Sequence, residues 1–105
     1  MPNIMKLVKQ VTRIKEEVLK KQEELAQEEL EYKAGGGAVA VTISGAGKIK
    51  AIKLDPKVVD PDDVSGLEDL LVSAFGGAQA MAAEHADAEI KKVTGGINLP
   101  PEFGV

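Results

Sequence analysis

The sequence predicts an α+β fold in which a long N-terminal helix, a three-stranded antiparallel meander and a second helix follow one another (α-β-β-β-α). Three changes in periodicity support this prediction: apolar residues have heptad spacing first, then alternate with polar residues, then return to helical spacing. The chain of 105 residues fits one domain. We divide it into a helical arm (1–28), a sheet (29–55), a second helix (65–94) and an irregular tail (95–105).

The first helix is predicted from about Pro2 to about Glu28, because this segment is rich in Lys, Glu, Gln and Leu and has no interior Gly or Pro. A helix of about 27 residues is about 40 Å long, whereas a compact domain of this size has a radius of gyration near 13 Å. Its apolar residues therefore require a second surface, and a second copy of the chain is the simplest source. We predict a homodimer whose seam consists of Ile4, Leu7, Val11, Ile14 and Val18.

The segment 29–34 alternates polar and apolar residues and is predicted to be a strand. An alternative interpretation extends the first helix as far as Tyr32. Three glycines, Gly35 to Gly37, end either element. A phosphate-binding loop would continue with Gly-Lys-Ser or Gly-Lys-Thr, which is missing here, so we interpret these glycines as a turn.

Two further strands are predicted at 38–44 and 48–55, joined by a short turn that contains glycine. In the third strand the alternation directs Ile52 and Leu54 towards the core. Ile49 is out of phase with them, which predicts a β-bulge near the turn.

The second helix begins after an aspartate-rich segment, and Ser65 with Glu68 has the form of a capping box. Gly95 and Gly96 are predicted to end it. Gly76 and Gly77 lie inside the helix, where each glycine costs roughly 1 kcal/mol relative to alanine. Close packing or a kink would account for this pair.

The sequence offers no constellation for catalysis, and we predict neither an enzyme nor a bound cofactor or small-molecule substrate. Cysteine is absent and His85 is the only histidine, so it is interpreted as a packing residue of the second helix rather than a metal ligand or general base. Asp60, Asp62 and Asp63 lack the full calcium-loop pattern and are assigned to capping and solubility. A membrane span and a signal peptide are not predicted either, which favours the cytoplasm.

Charge is distributed unevenly, although the net charge is only −4 and the isoelectric point is near 5.0. Residues 1–15 contain four basic residues and no acid, whereas residues 16–31 contain two lysines and seven glutamates. A cationic helix start attracts phosphate; a solvated helix face is the alternative interpretation. The candidate phosphate contacts are Lys6, Lys9, Arg13, Lys15, Lys20, Lys91 and Lys92.

Several motifs in this order resemble those of the YbaB/EbfC family. They are the Lys/Glu/Gln-rich first helix, the segment Val39 to Gly45, Ile52 to Pro56, Leu67 to Leu71 with Ala74 and Phe75, and Gly95 to Phe103. The resemblance covers nearly the whole chain. Two departures are visible: Gly76 and Gly77 replace polar residues, and a glycine- and methionine-rich segment before the first helix is missing.

The resemblance implies an intertwined, tweezer-shaped dimer that coats or bridges double-stranded DNA in the bacterial nucleoid. It brings no fixed set of contact residues, so the candidate contacts above come from charge alone. We expect a homodimer that binds DNA with low sequence selectivity. The alternative is an adaptor whose helical arms grip a partner protein, which exposed apolar residues such as Met5 and Val8 would favour.

Overall fold

The computed structural model describes residues 4–95 and confirms the predicted order of a helix, three strands and a helix. The predicted tail lies outside these residues, apart from Gly95. Two short 3-10 turns, Gly35–Gly37 and Pro56–Val58, join the regular elements. The helices and strands are α1 (Ile4–Gln27), β1 (Glu29–Ala34), β2 (Val39–Ser44), β3 (Ile49–Leu54) and α2 (Val64–Thr94).

The first strand resolves the alternative at the end of α1. Residues Glu29–Ala34 form β1, so α1 does not continue to Tyr32. β1 pairs antiparallel with β2, and the register places Glu29 opposite Ser44 at one end and Ala34 opposite Val39 at the other. The triple glycine that follows adopts positive φ at each residue, 67° at Gly36 for example. Side chains with a Cβ rarely adopt this conformation, and the turn therefore requires the glycines that the sequence supplies.

The predicted bulge lies where β2 and β3 pair. Thr42 faces Ala51, whereas its neighbour Ile43 faces Ile49, so β3 has one additional residue at this point. The bulge brings Ile49 onto the face of Ile43. Ile52 faces the fully buried Val41, as predicted from the alternation, yet its side chain is 40% exposed. The prediction that Ile52 is buried is therefore wrong for the single chain, because α2 packs across β1 and β2 and leaves this part of β3 uncovered.

The start of α2 differs from the predicted capping box. Asp63 is the N-cap, and its Oδ1 accepts a hydrogen bond of 3.1 Å from the backbone N–H of Gly66. Ser65 lies inside the helix. An aspartate cap satisfies one of the backbone donors that the first turn leaves without a partner. Asp63 thus has the capping role assigned to it. Asp60 caps no helix, and its Oδ1 accepts a hydrogen bond of 2.9 Å from the N–H of Asp62 in the preceding loop.

The core lies between the sheet and one face of α2. Val39, Val41 and Ile43 of β2 are fully buried against three small side chains of the helix, those of Ala74, Ala78 and Ala82. Alanine lets a helix backbone approach a sheet closely. Gly77 extends this close approach towards β1, because a Cβ on this residue would overlap the Cζ and Oη atoms of Tyr32. Close packing therefore explains the second glycine of the pair.

The two helices run antiparallel and overlap only near their C-terminal ends. Leu25 of α1 lies beside Ala86 and Ile90 of α2, and Val93 lies beside Glu17 to Glu24. The helices are about 36 and 46 Å long at 1.5 Å per residue, so their short overlap produces a rod. The extents are 73 × 21 × 17 Å and the radius of gyration is 19.4 Å. The beginning of α1 and the beginning of α2 consequently lie at opposite ends of the molecule.

Candidate nucleic-acid interface

The first half of α1 extends past the end of α2, because α2 ends at Thr94 and Val93 is already level with Glu17 to Glu24. We call residues 4–15 the arm tip. They contain four basic residues and no acidic one, and they have few neighbours that could shield a charge. This segment is therefore the part of the described chain best placed to meet a polyanion.

Three of the predicted contacts share one side of the arm tip. Lys6, Lys9 and Arg13 line a single shallow depression together with Gln10, and all three basic side chains are exposed. Their spacing of three and then four residues keeps them on the same helix face. We call Lys6, Lys9 and Arg13 the basic face.

Lys20 follows the same stripe but lies in acidic surroundings. It borders a depression that also includes Glu17, Lys21 and Glu24. The two carboxylates offset the two ammonium groups, so a phosphate gains little attraction there. The cationic stripe therefore ends at Lys20, on the side nearer the C-terminal end of α1.

Lys15 is exposed but belongs to a different face. At about 100° per residue, it lies about 200° around the helix from Arg13, on the other side of the arm tip. One phosphate backbone that follows the basic face therefore does not reach Lys15.

Lys91 and Lys92 are in the last turn of α2, where the helix dipole favours cations. Both are exposed, and the Lys92 Nζ lies 3.1 Å from Glu89 Oε1. The structure thus leaves them on the second helix, apart from the basic face. Only Lys6, Lys9 and Arg13 of the seven predicted contacts are brought together.

An ion-pair group anchors the arm to α2. Lys21 Nζ is 3.2 Å from Glu24 Oε2 in the same helix and 3.4 Å from Glu89 Oε2 in α2. The carboxylates of Glu24 and then Glu89 raise the pKa of Lys21. The ammonium groups of Lys92 and then Lys21 lower the pKa of Glu89, against a partial desolvation that raises it. Sequence spacing reveals the pairs within each helix but not the one between the helices.

A second contact joins the base of α1 to α2. The Nε2 atom of His85 lies 2.6 Å from Glu28 Oε2, and both side chains are partly exposed. His85 is thus a half-buried packing residue of α2 that also has a carboxylate partner. The partner, 57 positions away in the sequence, gave no signal in the spacing of residues.

The solvent exposure of the predicted dimer seam decreases along α1. Ile4 and Leu7 are 71% and 61% exposed, Val11 and Ile14 are half-buried, and Val18 is only 4% exposed within the single chain. Val18 is covered by its own chain, so a partner would gain little from it. Met5 and Val8 are exposed beside the upper part of the seam.

Other kinds of site find little support in residues 4–95. They contain no group of three or more histidine or acidic side chains arranged to hold a metal ion. No helix in this part of the chain is long and apolar enough to cross a membrane.

The sequence model of the YbaB/EbfC DNA-binding family matches residues 1–97. A nucleoid-associated protein of Alkaliphilus metalliredigens is 41% identical over 102 residues, which are 97% of this chain and 90% of that protein. Another, from Acetivibrio thermocellus, is 46% identical over 94% of this chain and 88% of its own length.

A solved structure supports the same fold. The crystal structure of an uncharacterized protein from Helicobacter pylori superposes with a TM-score of 0.71, covering 84% of this chain and 92% of that one at 20% identity. The family match extends over most of the sequence, and the relatives match nearly end to end. The chain therefore belongs to the YbaB/EbfC DNA-binding family.

Proposed function

We propose that this protein is a nucleoid-associated protein of the bacterial cytoplasm that binds duplex DNA as a homodimer. Binding is of low sequence selectivity and depends mainly on phosphate contacts. The family assignment and the names of the relatives support the DNA-binding role. The family is not one of enzymes, and we propose no catalytic activity.

The basic face is the observation on which this proposal depends. Lys6, Lys9 and Arg13 are exposed on a helix that extends away from the acidic remainder of the chain. Lysine and arginine bind phosphates, which recur along every duplex regardless of its sequence. Aromatic residues make up only 3% of the chain, so base stacking contributes little.

Dimer formation would place two basic faces on one particle. Three cations on one arm give modest affinity, and a second arm raises the effective concentration for rebinding. Ile52, Val59, Val64 and Val72 leave apolar surface exposed on the sheet and at the start of α2. Burying such surface between two copies would stabilise a dimer.

A salt titration with a fluorescent duplex of random sequence tests the proposal. The logarithm of affinity falls with the logarithm of salt concentration by about 0.9 per neutralised phosphate. Replacing Lys6, Lys9 and Arg13 with alanine removes three contacts from each arm. If both arms engage, we expect the slope to become shallower by about 5.

A matched control separates this effect from a general change in charge. Lys48→Ala, Lys53→Ala and Lys57→Ala together remove the same charge from exposed positions in the turn between β2 and β3, in β3 and in the following 3-10 turn. We expect the control to retain most of the wild-type slope. Equal losses in the two triple variants would contradict the assigned surface.

The adaptor function remains a second candidate because Met5 and Val8 are exposed at the arm tip. Exposed apolar side chains on a helix are typical of surfaces that bind proteins. Absence of DNA binding at low salt would favour this function over the first. Serine at both positions would then abolish capture of the partner protein while leaving far-ultraviolet circular dichroism unchanged.

A further inference from the structure

The upper part of the apolar seam has no cover within the described chain. Exposure increases from Val18, at 4%, to Leu7 and Ile4, at 61% and 71%. The covered part lies beside α2, and the exposed part begins where α2 ends. The seam is thus one continuous apolar strip, and α2 covers only its C-terminal part at Val18.

The chain leaves α2 beside the start of this uncovered strip. Gly95 ends the helix in the left-handed conformation, with φ of 62°, and α2 runs antiparallel to α1, so its end points towards the arm tip. Residues 96–105 follow. They include Ile97, Leu99 and Phe103 and a single charged residue, Glu102.

We propose that residues 96–105 of the same chain bind along the apolar seam of the arm tip. From the level of Glu17 to that of Ile4 the helix rises about 20 Å. A β-extended segment advances about 3.3 Å per residue, so Phe103, eight residues beyond Gly95, can reach the level of Leu7 and Ile4. The length of the segment therefore matches the strip.

The composition of the segment fits this surface. Ile97 and Leu99 alternate with Asn98, so an extended chain presents them on one side. Pro100 and Pro101 have no backbone N–H and need no hydrogen-bond partner against a helix. Glu102 would approach a part of α1 that contains four basic residues and no acid.

This arrangement leaves the basic face open. Leu7 and Lys9 are two residues apart and lie about 200° apart around the helix, so a segment on the seam does not cover Lys9. The bound segment would cover apolar surface and restrain the end of a helix that otherwise extends alone. It acts on the arm and requires no DNA, so its test is independent of the proposed function.

Cysteine cross-linking tests the docking directly because the chain has no cysteine of its own. We would combine Phe103→Cys with Leu7→Cys or with Ile4→Cys. A mixture of ¹⁴N- and ¹⁵N-labelled protein would be unfolded in urea, refolded so that the subunits of a dimer exchange, and then oxidised. A disulfide requires the two Cα atoms to be within about 7 Å. We expect cross-linked peptides that are all ¹⁴N or all ¹⁵N. Phe103→Cys with Lys9→Cys, at a similar height on the opposite face, should not cross-link.

Hydrogen exchange provides a second readout without cysteine. Phe103→Ser should accelerate exchange of the amides in the upper arm tip severalfold while leaving β2 unchanged. Cross-links of mixed isotope composition would show that a second copy occupies the seam and would overturn the proposal. So would the absence of cross-links in both seam pairs together with unchanged exchange in Phe103→Ser.

Discussion

Gly77 illustrates how one residue sets the distance between a helix and a sheet. The Tyr32 ring of β1 occupies the space where a Cβ of Gly77 would be. A Cβ on the neighbouring Gly76 would point into open space instead, with no contact within 4 Å. The two glycines have the same intrinsic cost in a helix, so only the contact with Tyr32 distinguishes them.

This contrast predicts opposite effects for two identical substitutions. Gly76→Ala should raise the free energy of unfolding by about 0.5–1 kcal/mol, because alanine restricts the unfolded chain and favours the helix. Gly77→Ala should lower it by about 1–3 kcal/mol, because the ring must move or the helix must retreat. Urea denaturation of both variants at one protein concentration measures the difference. Equal stabilisation by the two substitutions would rule out the close contact.

Residue patterns in the sequence predict local geometry better than long-range partners. The out-of-phase Ile49 identified the bulge, because strand periodicity is a local property. Ser65 was predicted as part of the helix cap, whereas Asp63 is the residue that caps α2. Both side chains can cap a helix, and only the backbone conformation decides between them. The contact between Tyr32 and Gly77 depends on how β1 and α2 pack and has no local signature.

At the scale of elements, the arm is held to α2 by apolar packing and by polar contacts between helices. Leu25 and Val18 are buried, while Lys21 pairs with Glu89 and Glu28 pairs with His85. These contacts all lie in the C-terminal half of α1 or at Glu28, which directly follows it. The predicted seam from Ile4 to Val18 did not separate the half of α1 that packs within the chain from the half that extends beyond it, because heptad spacing does not specify which surface covers a helix.

The ion pairs of Glu89 with Lys92 in the same helix and with Lys21 in α1 should make the stability of the fold dependent on pH. Lys92 and Lys21 lower the pKa of Glu89 below its ordinary value of 4.5. The stabilisation is therefore complete above 4.5 and is lost as the pH falls through the lower pKa of the folded state. Glu89→Gln should lower the urea midpoint at pH 7, and the difference from wild type should shrink at acidic pH.

The exposed Glu84 of the same helix supplies the matched control. Glu84→Gln should change the urea midpoint less than Glu89→Gln does at pH 7, since within residues 4–95 no ion pair joins Glu84 to α1. A constant difference between wild type and Glu89→Gln from neutral to acidic pH would show that the charge of the Glu89 carboxylate does not contribute to stability.

Charge is distributed asymmetrically along the molecule: the basic arm tip lies at one end and the aspartate-rich start of α2 at the other. The charge gradient was evident in the sequence. Its spatial separation was not, because it depends on the short antiparallel overlap of the two helices. The length of the first helix and the family resemblance both predicted a dimer. The uncovered part of β3 could not be predicted, because it depends on α2 crossing the other two strands.

The exposed outer face of α2 yields a prediction about assembly. Val72 is 72% exposed on the outer face of α2, so an aspartate there costs the folded single chain little. Between two copies the same carboxylate would lose its hydration without a partner. We expect Val72→Asp to weaken the dimer by at least tenfold in sedimentation equilibrium, with unchanged helix content.

Ala88→Asp adds the same charge at an exposed position nearer the end of α2 and should leave the dimer intact. If both variants remain dimeric, this face of α2 is not part of the interface, and the uncovered part of β3 at Ile52 becomes the surface to test.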